Sequence, residues 1–503
     1  MNNISNNVFS GIVRKITAIL LPFAIRTAII YYLGTDYLGL NSLFTSILSV
    51  LNLTESGFSS AIIFCMYKPL AENDTDTVCA LLNFFRKIYL GIGVLILSIG
   101  FVITPLITHL IKGSWPADIN IYVLFLIYLA NTTISYFFFA YKSALLNAAQ
   151  RIDVYNWIQT VVFLFQYIIQ LIILIVFKNY YMYIIVTPCC TILCNVFTLI
   201  YSNKLFPQYQ CRGKVEKNVK KVITEKVKGL MIYKLSEVSR NSFDSIVLSS
   251  FIGLTAVAIY NNYYYIFSAV YSILVAINQG IQAGVGNALV SKSRKDNYHN
   301  LRKLNFWIMW IVAWCTICMI CLYQPFMELW VGKKMLLSNV DMVLFALYFY
   351  ILNMCNARNL YYDGNGLWIE GKWTFILESL GNLFLNLILG KIWGITGVLI
   401  ATIITIFIFS FIMRTDILFK SYYKKSAKQF LMDHLKWIIT FCVALVLNCS
   451  ICHCINTGIG IVDLIIKCMI SVFVPNLIFL FVNIKNRFLA IGVKKIISKK
   501  YKL

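Results

Sequence analysis

The chain has 503 residues, of which 60% are hydrophobic and 13% charged, and its formal net charge is +24. Apolar runs long enough to cross about 30 Å of hydrocarbon recur from end to end, which leaves no room for a sizeable water-soluble domain or an external catalytic module. The basic charge is not a nucleic-acid footprint, because it falls in alternate short loops, the pattern of cytoplasmic loops under the positive-inside rule.

Fourteen spans are expected. The first, residues 11–33, starts with Arg14 and Lys15, holds Pro22 as a kink and places Arg26 too deep to reach the interface. The second, 37–66, carries Asn41, Thr45, Ser49, Asn52, Glu55, Ser56 and Ser59 at three-to-four spacing, a polar stripe on an apolar helix. A loop whose second half is amphipathic, 68–87, leads to spans three and four, 88–111 and 119–141. In span five, 157–177, Gln159, Gln166 and Gln170 share a face, and span six is 180–201. A dense run of Lys and Arg in 203–228 then breaks the composition near mid-chain.

Span seven, 229–253, contains Lys234, Glu237, Asn241 and Asp244 three, four and three apart, on one stripe, with Arg240 beside it. Ionisable groups inside a span are costly unless they face a protein interior or a water-filled cavity, so this helix is expected to line a pathway. The other reading is that the charges pair within the bundle and only hold helices together. Span eight, 255–290, is long and interleaves aromatic and amide residues, with Tyr264, Gln279 and Gln282 among them. Spans nine and ten are 306–326 and 340–360, the latter with Arg358 near its cytoplasmic end. Span eleven, 373–389, bears Glu378, Asn382 and Asn386 on one face, and span twelve is 392–413. A basic segment separates these from spans thirteen and fourteen, 437–455 and 461–482, and an even number of spans puts both termini in the cytoplasm. No cleavable signal precedes the first span, which is its own address. Most of the 15 cysteines fall inside spans as small hydrophobes. The run Cys449, Cys452, His453, Cys454 lacks a second ligand pair, so no metal is expected.

Offset by 219 positions, the chain lays span one on span seven without a gap: Lys15 meets Lys234, Leu33 and Gly34 meet Ile252 and Gly253, and Ser49 meets Ser268. The expected fold is therefore all-α and polytopic, with about 14 transmembrane helices in two six-helix lobes around a central cavity, plus two C-terminal helices. The N-terminal lobe is 1–202, the basic cytoplasmic linker 203–228 and the C-terminal lobe 229–413. A cytoplasmic loop, 414–436, precedes the last two helices and basic cytoplasmic tail, 437–503. In such repeats the substrate site lies between the halves, and access alternates as they rock.

The segment YYLGTDYLGLNSLFTSILSVLNLTESGFSSAIIFCMYKPLAE (31–72), RNSFDSIVLSSFIGLTAVAIYNNYYYI (240–266) and LWVGK (329–333) resemble the polysaccharide transporters of the Wzx type. These belong to the multidrug/oligosaccharidyl-lipid/polysaccharide exporter superfamily, and the resemblance covers nearly the whole chain. It implies a flippase, not an enzyme, that moves an undecaprenyl-diphosphate-linked oligosaccharide between the leaflets of a bacterial cytoplasmic (inner) membrane. The product would serve a surface polysaccharide such as an O-antigen, lipopolysaccharide or exopolysaccharide. Its partners would be the lipid-linked oligosaccharide, membrane lipids, and the polymerase and glycosyltransferases of the same pathway, with no nucleic acid.

For that task a lipid diphosphate calls for guanidinium partners, and Arg26 and Arg240 are the first candidates, with Arg358 third. A glycan calls for hydroxyl, amide and aromatic partners, which Asn41, Asn52, Tyr264, Gln279 and Gln282 supply unless they simply join helices. Glu55, Glu237, Asp244 and Glu378 are either H+ or Na+ coupling sites or counter-ions for the arginines; no other cofactor is expected. A multidrug exporter of the same superfamily is the alternative, and it would favour carboxylates and apolar walls over intramembrane arginines. A polysaccharide polymerase or ligase would need a large external loop, which the short external turns do not provide.

Overall fold

The computed structural model describes residues 2–55 and 58–490, and every regular element among them is helical. In chain order the α-helices are α1 (Asn2–Tyr32), α2 (Thr35–Leu51), α3 (Phe58–Ala71), α4 (Thr75–Ile103), α5 (Ile121–Phe137), α6 (Lys142–Ala148), α7 (Ile152–Val176), α8 (Tyr180–Leu205) and α9 (Lys217–Phe251). They continue as α10 (Leu254–Ser291), α11 (Arg294–Val331), α12 (Asn339–Met354), α13 (Asn356–Gly364), α14 (Lys372–Trp393), α15 (Ile395–Thr405), α16 (Arg414–Leu418), α17 (Lys428–His453) and α18 (Gly460–Asn483). Ser56, the side chain of Asn241 and the basic tail 491–503 lie outside the described residues.

Among the described residues eleven helical stretches are long and apolar enough to cross a membrane, or twelve when α5 and α6, bent by 56°, are taken as one. The chain is thus an all-α, multi-pass membrane protein. The remaining two expected spans fall where apolar continuity is interrupted. One is split between α2 and α3 around a short 3₁₀ turn, Asn52–Thr54, and the other lies within α9, which carries Lys234, Glu237, Arg240 and Asp244.

The repeat seen in the sequence is repeated in the helix ends. Helix α1 ends at Tyr32 and α2 starts at Thr35, while α9 ends at Phe251 and α10 starts at Leu254. Both corners turn on a glycine held at positive φ, Gly34 (115°) and Gly253 (127°), a region a side chain resists. The starts of α4 and α11 keep the same offset, and each is capped by the residue before it. Asp74 accepts from the Thr77 amide (3.0 Å) and Ser293 from the Asp296 amide (3.1 Å). The threonine hydroxyl and amide together hold the exposed Asp74 carboxyl below its ordinary pKa.

The chain divides into two compact units, 1–258 and 259–503. In the first, α1 packs on α7, α7 on α8, α4 and α8 on α5, and α2 on α9. The first turn of α10 closes against α2: Thr255 donates to Asp36 (2.7 Å) across 219 positions, and a Cβ placed on Gly39 would sit 2.3 Å from the Leu254 carbonyl oxygen. Lys112 caps the C-terminal end of α9 by donating its ammonium to the Phe251 carbonyl (2.7 Å), where the helix dipole favours a cation. In the second unit, α11 touches α12, α17 and α18, and α15 packs between α12 and α14.

Helix α15 does not end at its last α-helical residue. It runs on through a π-helical stretch, Ile406–Met413, then α16 and a second π-helical turn, Phe419–Tyr423, as one continuous helix, Ile395–Tyr423, that carries an apolar span. A wide π turn misaligns the backbone ladder and releases carbonyls for other donors, an arrangement that recurs at functional sites.

Candidate functional site

The first unit holds a polar cavity of about 270 Å³ between α2, α5, α7 and α8. Its polar wall is made of Asn41, Asn52, Tyr128, Asn131, Gln166 and Gln170, with threonines and Ser49 between them, and no lining residue is charged. The spacing explains how the helices supply it. Asn41, Thr45, Leu48 and Ser49 share one face of α2, Asn52 opens the 3₁₀ turn that follows it, and Gln166 and Gln170 lie one turn apart on α7.

Phenols brace this wall. Tyr128 donates to Asn41 (3.0 Å) and shares a hydrogen bond with Tyr180 (2.9 Å). Gln170 donates to the Tyr183 carbonyl (3.1 Å) and to Thr187 (3.0 Å). At the α2 end Tyr136 donates to Asn52 (3.1 Å) and to Glu55 (2.6 Å), and Tyr89 donates to the second Glu55 oxygen. Asn41 and Asn52 therefore share one cavity, and Glu55 is tied to Asn52 through a common phenol. Sequence reading missed Tyr89, Tyr128 and Tyr136. The available signal was the run Tyr128, Asn131, Thr132 at helical spacing on an otherwise apolar span.

The remaining expected residues lie elsewhere. Arg26 is half-buried on α1, within electrostatic reach of the Tyr183 hydroxyl. On α9, Lys234 and Glu237 form an ion pair (2.5 Å) with 43% and 41% of their side chains exposed, so screening leaves it weak. Asp244 on the same helix is 1% exposed and Arg240 is half-buried. Tyr264 stacks on Phe267 (centroids 5.3 Å apart), while Gln279 and Gln282 are exposed on α10.

The second unit holds charge instead. Glu378 on α14 is fully buried and accepts from Arg414, whose guanidinium also donates to Thr374 (3.0 Å) and Ser410 (3.3 Å) and covers the Phe375 ring at 3.6 Å. Arg358 on α13 is likewise fully buried. Its Nη2 donates to the Ser410 carbonyl (2.6 Å), a group in the π-helical stretch, while Nε and Nη1 are buried without hydrogen-bond partners among the described residues. Ser410 thus links Arg358 to the Arg414–Glu378 pair. Arg414 was missed because the apolar run stops just before it; the signal was the face of Glu378, Asn382 and Asn386, which requires a cation opposite.

With this geometry in hand, solved structures supply a likeness. An inward closed conformation of the lipid II flippase MurJ matches with a TM-score of 0.64 at 16% identity, covering 95% of this chain and 99% of that one. An inward-facing multidrug resistance MATE family transporter of the MOP superfamily matches with 0.61 at 15%, covering 83% and 99%. The chain has the fold of the MOP-superfamily transporters. A mutant of the Vibrio cholerae MATE transporter VcmN matches with a TM-score of 0.56 at 15% identity, covering 85% of this chain and 98% of its own. No family model and no curated protein matches the sequence. At these identities the MOP fold is what is shared, and function has to be argued from the residues.

Proposed function

We propose that the chain is a flippase for an undecaprenyl-diphosphate-linked oligosaccharide in the bacterial cytoplasmic membrane, working by alternating access with both termini in the cytoplasm. The observation that carries the reading is the uncharged amide and hydroxyl wall of the first unit's cavity, which suits a hydroxyl-rich neutral glycan and offers no carboxylate to pair with a cationic drug. Asn41 and Asn52 would contact sugar there, joined by Gln166 and Gln170, with Tyr264, Gln279 and Gln282 as further glycan contacts. Arg26 and Arg240 would take the diphosphate. Arg358 joins them only if the π-helical stretch that now holds its Nη2 lets go. Of the acids, Glu378 and Glu237 act as counter-ions to Arg414 and Lys234, leaving Glu55 and Asp244 as the proposed H+ or Na+ coupling groups. Surface-polysaccharide polymerases and glycosyltransferases would act before and after it.

The test is a strain lacking the gene, complemented at matched protein levels. Asn41→Ala with Gln170→Leu is expected to lower surface glycan about tenfold, the scale of one or two lost hydrogen bonds, and to accumulate the lipid-linked oligosaccharide. Full glycan export by the double variant would sink the reading. Resistance to cationic drugs that disappears with the gene would favour the multidrug alternative.

A further inference from the structure

At one end of the second unit, the first turns of α11 and α17 and the residues just past α18 surround a cavity of about 370 Å³ that none of the roles above uses. Arg302, Lys436 and Arg487 line it together with His299, and its one acid is Asp433. That acid is already matched: Arg302 donates to it through Nε (2.6 Å) and Nη2 (3.0 Å), a two-pronged fork that also fixes the guanidinium in place. Lys436 and Arg487 are exposed, and among the described residues no acid forms an ion pair with either. Three cations against one carboxylate leave the cavity with a positive surplus.

The rest of the lining sets the depth. Phe306, Trp437 and Phe488 form an aromatic wall, with Phe306 centred 5.4 Å from Trp437 and 6.0 Å from Phe488. Along α11, Arg302, Phe306, Trp310 and Trp314 follow one another at four-residue spacing, so one helix face passes from a cation through an aromatic ring to two indoles. Each indole donates inward, Trp310 to Asn476 (2.7 Å) and Trp314 to the Ser471 carbonyl (3.0 Å). The cations stand at one end of this face and the rings run down the membrane-spanning helix from them, which puts the basic cavity at headgroup level. Asn305 also lines it, 2% exposed, with an Oδ1 that is buried and accepts no hydrogen bond among the described residues. An acceptor without a donor suits a ligand that carries a hydroxyl as well as a negative charge.

We propose that this cavity binds the headgroup of an anionic phospholipid, a phosphodiester bearing a hydroxyl, drawn from the adjoining leaflet. Basic pockets between transmembrane helices hold such headgroups through Lys and Arg, and here the two unmatched cations, Lys436 and Arg487, supply the contacts beside the Arg302–Asp433 pair. The site stands apart from the transport reading and holds whatever the cargo is. It would pin together α11, α17 and α18, the three elements that meet there.

The experiment uses the full chain in nanodiscs of phosphatidylcholine doped with phosphatidylglycerol, released into native mass spectrometry. The wild type is expected to keep one phosphatidylglycerol that Lys436→Gln/Arg487→Gln binds about 30-fold more weakly, equivalent to about 2 kcal/mol. The charge-keeping pair Lys436→Arg/Arg487→Lys should retain it, which separates lost charge from lost fold. Equal retention by the glutamine pair, or equal loss by both pairs, would overturn the proposal. Displacement of the lipid by inorganic phosphate at matched concentration would also overturn it, by identifying a soluble phosphate as the ligand.

Discussion

The polar cavity of the first unit and the buried ionic cluster of the second solve the same problem in opposite ways. Both place hydrogen-bonding groups inside an apolar bundle. In the first unit the groups are neutral amides and phenols that leave about 270 Å³ open and brace one another around it. In the second, two guanidiniums and a carboxylate are buried: Arg414 is matched by Glu378, Thr374 and Ser410, while Arg358 is held through Nη2 alone. Neutral polar groups cost little to leave hydrated and keep capacity for a ligand. Desolvated ions have to be matched inside the protein, and the Arg414–Glu378 pair spends its bonding capacity on holding α14 and the π-helical stretch together.

The contrast breaks most sharply at Glu378. Glu378→Ala strips the carboxylate from a buried Arg414, and removing one partner of such a pair is expected to cost about 3–5 kcal/mol, read as a fall in thermal unfolding temperature in detergent. Replacing both partners, Glu378→Leu with Arg414→Met, should recover most of that loss, because no unmatched charge remains. A single Glu378→Ala variant as stable as wild type would show that the cluster is hydrated and closer in kind to the first unit's cavity.

How much of this was legible beforehand differs between the two regions for a physical reason. The all-α, multi-pass class follows from apolar runs, and the corners at Gly34 and Gly253 follow from a repeat that the observed helix ends keep. The cavity was half legible: Asn41 and Asn52 stand out as amides at helical spacing, whereas Tyr128, Tyr136 and Tyr89 read as ordinary aromatic packing until their hydroxyls are located. Arg414 was hidden because a basic residue after an apolar run looks like a membrane flank, and only its burial against Glu378 and Thr374 shows it inside the unit. Pairings such as Arg302 with Asp433 join residues 131 positions apart, and periodicity carries no information about them.

A middle-sized effect is expected where the first unit has no slack. Gly39→Ala would set a methyl group 2.3 Å from the Leu254 carbonyl oxygen, and because that oxygen belongs to backbone, α2 and the start of α10 must separate. Overpacking of this kind costs about 1–3 kcal/mol, measurable in the same unfolding assay. An unchanged midpoint would mean that this corner gives way easily, and the firmness of the repeat's first joint would have to be sought in the Thr255–Asp36 bond alone.

The smallest stability change is expected within the cavity wall itself. Gln170→Leu keeps the side chain's bulk and removes donors to Tyr183 and Thr187, which costs about 1 kcal/mol at most when the groups left behind can reach water in the cavity. Asn41→Ala frees Tyr128 from one bond while its bond to Tyr180 remains, so its cost should be similar. Small stability losses combined with a large loss of glycan export would mark the wall as a surface kept for a ligand. Losses as large as that of Glu378→Ala would mean instead that the amides tie helices together, and the two units would then use polarity for the same end.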